Sequence, residues 1–536
     1  MKTLLFLSVL ILTAGQVNAQ SYNQVQKVTA SDRAAGDTYG TSLAFDGNYA
    51  IVGAIHESEN SDGEVTTPNA GSAYILKINT DGTWSEVQKI VASDRTMDDN
   101  FGSDVALSGD YLVVGAPNDE DAEGDNPAEF GGSAYIFEKN NSGTWIEVQK
   151  IVASDRDIQD GFGFTVAISG NTVVVGSPYD EGDENNDNAL TSAGSAYIFE
   201  RDDNGNWSEI QKIVPADREE FDTFGKAVTI ENDNILIGAE AESDNDNEIY
   251  NAGAAYFYKK DNGGTWSEMQ KITPNNRESF TFFGFEISIN ENFAIFSTPG
   301  QSTDQNGENP MISSGGAFIF EMDDNEIWNE VQNIVASDRG EFDAFGKSVS
   351  INGDNVVVGA HFNGEDENGE NTMNNSGAVY FFERDNNGNW NELNKAVATD
   401  REQSAQFGYS AAIHGESAII GAWVESKDEN GENTMSGAGA VYFFNYMDPV
   451  GIEEFNFNTS LIAYPNPTYG KTSIDLGKSY DGVVIALHTA DGQLIYKRSL
   501  GNIEVLELEI NGAPGIYFIG IFTSEGTYHY LKIIKE

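Results

Sequence analysis

Apolar residues fall along the chain in short runs, rich in Val, Ile, Tyr and Phe, each closed by a cluster of Gly, Asn, Asp or Ser. Such runs read as β-strands bounded by turns. No helical period competes with them. In one stretch four runs follow one another: Ser103 to Leu107, Tyr111 to Ala116, Ser133 to Phe137 and Trp145 to Ile151. The same unit returns along the chain. Its marker is an aromatic-Gly pair, at Tyr39-Gly40, Phe101-Gly102, Phe162-Gly163, Phe224-Gly225, Phe283-Gly284, Phe345-Gly346 and Phe407-Gly408, with spacings of 59 to 62 residues. An Arg stands seven positions before each of these glycines: Arg33, Arg95, Arg156, Arg218, Arg277, Arg339 and Arg401.

Seven repeats of four strands predict an all-β fold, a seven-bladed β-propeller with four-stranded blades. The chain ends of the repeat region test the idea. The seventh copy stops after its third run, Ala440 to Phe444, without the fourth, which elsewhere reads Trp-x-Glu-Val-Gln-Lys. That run stands instead before the first repeat, as Gln24-Val25-Gln26-Lys27. The N-terminal strand is therefore expected to complete the last blade and close the ring, which removes exposed strand edges. Alternation of strand direction then puts the long second-to-third-strand loops on the same face as the blade-to-blade connections. These loops are 55–70, 117–132, 178–194, 240–253, 299–315, 361–377 and 423–439.

Charge sharpens this picture. The chain of 536 residues has 29 Lys+Arg against 86 Asp+Glu, a net charge of −57. The seven loops hold 30 acidic residues and one basic residue, Lys427, so one face is predicted to be strongly negative. Phosphate contacts need Lys and Arg, so nucleic acid and anionic membrane surfaces are excluded as partners. The absence of cysteine removes disulfides, thiolate-bound metals and a catalytic thiol. Residues 1–19 combine Lys2, an apolar stretch from Leu4 to Ala14 and the small-residue site Val17-Asn18-Ala19, the pattern of a signal peptide. No other run is long and apolar enough for a transmembrane helix. An exported protein is expected.

The run Phe101-Gly102-Ser103-Asp104-Val105-Ala106-Leu107-Ser108-Gly109-Asp110, then Val113-Val114-Gly115-Ala116-Pro117, then Gly132-Ser133-Ala134-Tyr135-Ile136-Phe137, resembles an FG-GAP repeat. Such repeats build the propeller of integrin α-subunits and of many bacterial secreted proteins. The resemblance covers residues 20–447 and implies the same seven-bladed ring. One part of the integrin pattern is missing. Its Asp-x-Asp-x-Asp-Gly calcium loop is replaced by a turn such as Ser108-Gly109-Asp110, too short to wrap a calcium ion. Calcium does not carry over from that family.

Beyond a linker at 448–460 the composition turns nearly neutral. The segment 461–536 opens with Tyr464-Pro465-Asn466-Pro467-Thr468-Tyr469-Gly470, has a hairpin signal at Asp491-Gly492, continues with Gly515-Ile516-Tyr517-Phe518-Ile519 and ends on Leu531-Lys532-Ile533-Ile534-Lys535. It is similar to the C-terminal sorting domain of the type IX secretion system of Bacteroidota. The resemblance implies a small Ig-like β-sandwich, engagement of residues 461–536 by that secretion machinery, and a final location that is secreted, extracellular or at the outer-membrane surface.

Candidate sites are weighed against structural roles. Asp-Arg pairs recur in six blades, with Asn276-Arg277 the one lapse, and read as clamps, since sites on symmetric scaffolds arise where copies differ. The strand-opening Trp84, Trp145, Trp207, Trp266, Trp328 and Trp390 read as packing between sheets. Trp423 breaks the pattern, standing where other blades have Pro117 or Pro178, and is a candidate ligand platform; His56 and His361 begin acidic-face loops and are further ligand candidates. Three successive loops carry alternating oxygen donors: Asp304, Asn306 and Glu308; Asp366, Asn368 and Glu370; Asp428, Asn430 and Glu432. They are candidate calcium ligands, although Asn-Gly is also a strong turn former. No other cofactor is implied. No Gly-x-Ser-x-Gly or His-Glu-x-x-His occurs, and no catalytic residue stands out. The expectation is a non-enzymatic binding or adhesion propeller that takes a protein, glycan or cation at its acidic face. A polysaccharide lyase or hydrolase is the alternative, and needs non-repeating His, Tyr or Arg converging in one pocket. A passive surface or matrix component is the third reading.

Overall fold

The computed structural model describes residues 21–63, 66–120, 128–244, 248–447, 463–480, 482–489, 494–510, 512–522 and 528–536. The expected signal peptide and linker lie outside them. Gln20–Met447 form one compact unit, and the residues from Asp448 onward belong to a second.

The first unit contains seven four-stranded antiparallel sheets. Blade one is Tyr39–Phe45, Tyr49–Ala54, Ser72–Ile78 and Trp84–Ile90, in that order from inner to outer strand. Blade seven is Phe407–His414, Ser417–Ala422, Ala440–Met447 and, as its outer strand, Ser21–Val28. The register of that last pairing runs from Ser21 opposite Met447 to Val28 opposite Val441. Each inner strand touches the inner strand of the next blade, and the inner strand of blade seven touches that of blade one, so the ring is closed.

The second-repeat strands are Val105–Ser108, Tyr111–Ala116, Ser133–Lys139 and Trp145–Ile151. Only the first starts later than its sequence run. The reason is the aromatic-Gly step, where the chain bends through a left-handed glycine (Gly102, φ 92°) before pairing begins. The second signature glycine meets the first across six of the seven junctions. A Cβ on Gly115 would stand 2.0 Å from Gly163 O, and one on Gly163 would stand 2.2 Å from Ser133 O. Bare backbone is what lets two blades approach this closely.

The core lies between consecutive sheets. Between blades two and three, Val113, Ile136 and Ile151 pack with Phe162, Val173, Tyr197 and Trp207. The six strand-opening tryptophans are 5% exposed or less. Each is also clasped through its backbone: Gln88 Nε2 donates to Trp145 O (2.7 Å) while Trp145 N donates to Gln88 Oε1 (2.9 Å). In the seventh blade Tyr22 takes this place, clasped by Asn394 and stacked on Phe381 with centroids 4.1 Å apart.

The second unit has a three-stranded sheet (Ala463–Tyr464, Lys471–Tyr480, Ile503–Glu509) and a four-stranded sheet (Leu494–Ser499, Val484–Thr489, Gly515–Phe522, Tyr528–Lys535). Ile474, Leu476, Leu506 and Leu508 of the first share one core with Ile485, Leu487, Ile519, Ile521 and Ile533 of the second, which makes a two-sheet sandwich. The expected hairpin joins Val484–Thr489 to Leu494–Ser499, although its Asp491-Gly492 turn lies outside the described residues.

Candidate ligand site on the loop face

The repeated polar residues of the loop face bind one another. In blade three, Lys212 Nζ stands 2.8 Å from both Asp155 and Asp180, and the Tyr197 hydroxyl donates to the same two carboxylates at 2.8 and 2.6 Å. Burial opposes the charge on Lys212, but the two carboxylates outweigh it and hold its pKa above the ordinary value. The set recurs as Asp32, Glu57, Tyr74 and Lys89 in blade one, and as Asp400, Glu425, Tyr442 and Lys27 in blade seven. In blade five every charge has gone at once: the corresponding residues are Asn276, Gln301, Phe318 and Asn333. The Asp-Arg pairs thus act as clamps in two separate ways. The Asp holds Lys and Tyr, while the Arg grips the preceding loop, as where Arg339 donates to Ser302 O (2.7 Å) and Asn309 O (3.2 Å).

The expected calcium loops are self-contained turns. Asp366 Oδ1 accepts from the backbone of Asn368 (3.0 Å) and Glu370 (2.9 Å), and Oδ2 accepts from Asn371 Nδ2 (2.5 Å). Asp304 and Asp428 do the same with Asn306, Glu308 and Asn309, and with Asn430, Glu432 and Asn433. These bonds hold all three carboxyls below the ordinary range, with the asparagine side chain leading at Asp304 and Asp366 and the Glu432 backbone at Asp428. A fourth loop has the same turn. Asp183 accepts from Asn185, Asp187 and Asn188, with Asn186 at φ 58° where the others have glycine. The Gly-based motif missed it for that reason. Elsewhere among the described residues, Asp32, Glu57 and Glu59 bring carboxylate oxygens within 4.8 Å of one another. Lys89 already lies on two of these groups, 2.6 Å from Asp32 and 3.3 Å from Glu57.

The copies diverge around the central channel, a cavity of about 1100 Å³ lined by all seven inner strands. The residue just after each aromatic-Gly pair faces it, and in chain order these are Thr41, Ser103, Phe164, Lys226, Phe285, Lys347 and Tyr409. Two cations alternate with three aromatic rings. Lys226 Nζ lies 4.0 Å from the Phe164 centroid and 3.8 Å from Glu240. Lys347 Nζ lies 4.0 Å from the Tyr409 centroid and 4.9 Å from that of Phe285. Burial lowers the pKa of both lysines against the pull of nearby acids. All these residues stand within two positions of the start of an inner strand, so they lie at the loop-face end of the channel.

Two ligand candidates join this cluster. Trp423 stacks on Tyr409 with centroids 4.6 Å apart, and its indole N–H donates to Gln406 Oε1 (3.0 Å). His361 is buried and packs edge-on to Tyr409 at 5.8 Å. Its pKa is pushed down to about 3, by burial first and by the Lys347 charge second, and its Nδ1 has no hydrogen-bond partner. His56 does not join them; its Nδ1 stands 3.3 Å from the Thr38 hydroxyl. Lys226, Phe285, Lys347 and Tyr409 went unnoticed in the sequence. The available signal was that the position after each aromatic-Gly pair varies while its surroundings repeat.

Two of the channel carboxyls serve the ring itself. Asp104 Oδ2 accepts from Val166 N (2.8 Å) and Glu286 Oε2 from Val349 N (3.1 Å), each tying an inner strand to the next. Burial raises both pKa values to about 7.

A closed ring of seven four-stranded sheets, with signature glycines meeting at the junctions, defines a β-propeller. The chain belongs to the FG-GAP repeat family, whose model matches residues 22–76, 84–137, 145–199, 207–258, 328–382 and 390–444. The stretch it passes over includes most of blade five, where the clamp is neutral and Ser297 replaces the second signature glycine. Residues 462–536 match the secretion system C-terminal sorting domain, which ties the chain to type IX export and points to secretion or the cell surface. No curated protein matches the chain. A crystal structure of a protein from Lactobacillus plantarum is similar at 14% identity, covering 67% of this chain and 85% of that one with a TM-score of 0.40, too distant to add to the fold. Among the described residues, no helix is long and apolar enough to cross a membrane.

Proposed function

We propose that this is a type IX-exported recognition protein, held at the cell surface or released, that binds an extracellular partner on its loop face without transforming it. The observation that supports this reading is the cluster of Lys226, Phe285, Lys347, His361, Tyr409 and Trp423, where adjacent copies of a repeating scaffold present different chemistry around one cavity. Flat aromatic faces beside cations are suited to binding.

The convergence of His361 and Tyr409 also favours a second reading, a lyase or hydrolase. Proton transfer near neutral pH wants a base whose pKa lies near the working pH. His361, at about 3, is a poor one, and burial raises the Tyr409 pKa further from that range. Binding is therefore the better supported reading.

Arrays of extracellular glycans and matrix proteins, probed with the full exported chain and with its Tyr409→Ala and Trp423→Ala variants, test the proposal. Retention of a partner by the wild type and its loss in both folded variants is expected. Capture that both variants keep unchanged would refute the proposed location. Turnover of a bound glycan would refute the non-catalytic reading.

A further inference from the structure

We propose that the loop-face mouth of the channel binds a small organic monocarboxylate, its anion held between Lys347 and Lys226 and its body laid against Phe285 and Tyr409. This rests on the reading above that the diverging cluster is the ligand site, and it names the chemistry that site takes.

Lys347 carries a charge that the acids Glu286 and Glu240 answer only from a distance. Lys347 Nζ has no carboxylate within 4.0 Å and donates no hydrogen bond among the described residues. A desolvated ammonium in that state is costly unless a counter-charge arrives. The aromatic faces on either side supply only part of what it lacks. Glu286, a neighbouring acid, already directs an oxygen to the Val349 amide. The clamp lysines of the junctions each sit on one or two carboxylates. Lys347 is thus a charge of another kind, placed in a cavity rather than in a clamp.

The same lysines set the ligand's charge and size. Lys226 is half-answered by Glu240 at 3.8 Å and Lys347 is drawn on by Glu286, so the pair of lysines offers at most about one net positive unit. That matches a monoanion better than a phosphate dianion. The surrounding loops are acidic, and their field reaches about 8 Å at physiological ionic strength. A polyanion spanning the rim would be repelled, whereas a single carboxylate that enters the channel leaves the rim behind. Phe285 and Tyr409 flank Lys347, and Trp423 is stacked on Tyr409, so an aromatic wall stands beside the cation for the rest of the molecule to rest against.

Ligand-observed NMR titration of the full exported chain tests this, with D-galacturonate and benzoate as probes and D-galactose and benzyl alcohol as their neutral counterparts. The first pair distinguishes a sugar acid from an aromatic acid. At least one carboxylate is expected to bind more tightly than its neutral counterpart by about tenfold, the scale of a charge-assisted hydrogen bond. Lys347→Met is expected to abolish that preference and Lys226→Met to reduce it. The second variant keeps the test decisive if the first fails to fold. The inference is overturned if neither carboxylate is preferred, if folded variants keep the preference, or if inorganic phosphate competes more tightly than either probe. Array partners retained without any carboxylate preference would overturn this inference alone. Carboxylate binding with no array partner would count only against the broader recognition reading.

Discussion

Blade five supplies a natural control for the charged clamps, and it makes their energetics predictable. Lys212→Met in blade three removes the cation that serves Asp155 and Asp180, whose side chains are 18% and 5% exposed. Breaking a buried pair from one side leaves an uncompensated charge and costs about 3–5 kcal/mol. Tyr197 remains as a donor to both carboxylates, which places the expected loss at the lower end, about 3 kcal/mol. Adding Asp155→Asn, Asp180→Asn and Tyr197→Phe makes the set neutral as in blade five, with the residues of Asn276 and Phe318, Met where blade five has Asn333, and the asparagine that blade six uses at Asn363. Replacing a whole buried ionic set by neutral groups is close to neutral overall. The quadruple variant is therefore expected to recover about 2 kcal/mol or more of the single variant's loss. Urea denaturation of the full chain, followed by tryptophan fluorescence, reads both. A single variant as stable as the wild type, or a quadruple variant that falls as far as the single one, would refute the argument.

Three further outcomes follow from the same geometry. Asp37, Asp160 and Asp222 have pKa values raised to about 7 and Asp99 to about 6, by burial first, as do Asp104 and Glu286 at about 7. Their folded values exceed the unfolded ones, so each contributes stability that is lost as pH rises from about 4 to about 7. His361 works in the opposite direction, losing stability as pH falls from about 6.5 to about 3, and His56, lowered by burial, acts the same way, but these are two groups against six. The melting temperature is expected to be higher at pH 5 than at pH 7.5 in both low and high salt; a higher value at pH 7.5 contradicts the assignment. Melting in calcium and in EDTA should agree, because Asp304, Asp366 and Asp428 already accept three hydrogen bonds each; a calcium-dependent rise abolished by Asp366→Asn would show a true site. Gly163→Ala should cost about 2–3 kcal/mol, because its Cβ would meet Ser133 O at 2.2 Å in a left-handed backbone, whereas Gly109→Ala, with open space around it, should cost about 1 kcal/mol. Equal effects at the two positions, read by thermal melting, would undo the close-approach argument.

The ring was legible in the sequence because its information is periodic. Seven aromatic-Gly pairs, and one outer strand displaced to Gln24-Val25-Gln26-Lys27, leave few other topologies. The ligand cluster was only half legible. Trp423 broke a visible pattern and His361 stood at the head of an acidic loop, but Lys226 and Lys347 stood among residues read as strand starts, and lysine in a strand ordinarily means a solvated face. Their proximity to Phe164, Phe285 and Tyr409 depends on closing the ring, which brings positions about 60 residues apart onto one circle. The Asp-x-Asn-Gly-Glu loops were ambiguous for another reason. The same oxygens suit a cation or the loop's own amides, and composition does not say which they face.

The closing strand also determines how the ring carries load. Ser21 lies opposite Met447, so traction on those two ends would open their ladder one rung at a time. A load passing from the loop face to Met447 follows a different route. It runs along Ala440–Met447, which is paired on one side with Ser417–Ala422 and on the other with Ser21–Val28. Both ladders are then strained in shear, with their hydrogen bonds sharing the force. If the proposed partner is gripped on the loops and the protein is held through Met447, the propeller is loaded in its stronger direction, and the strand borrowed from the N-terminus works as the second half of a mechanical splice.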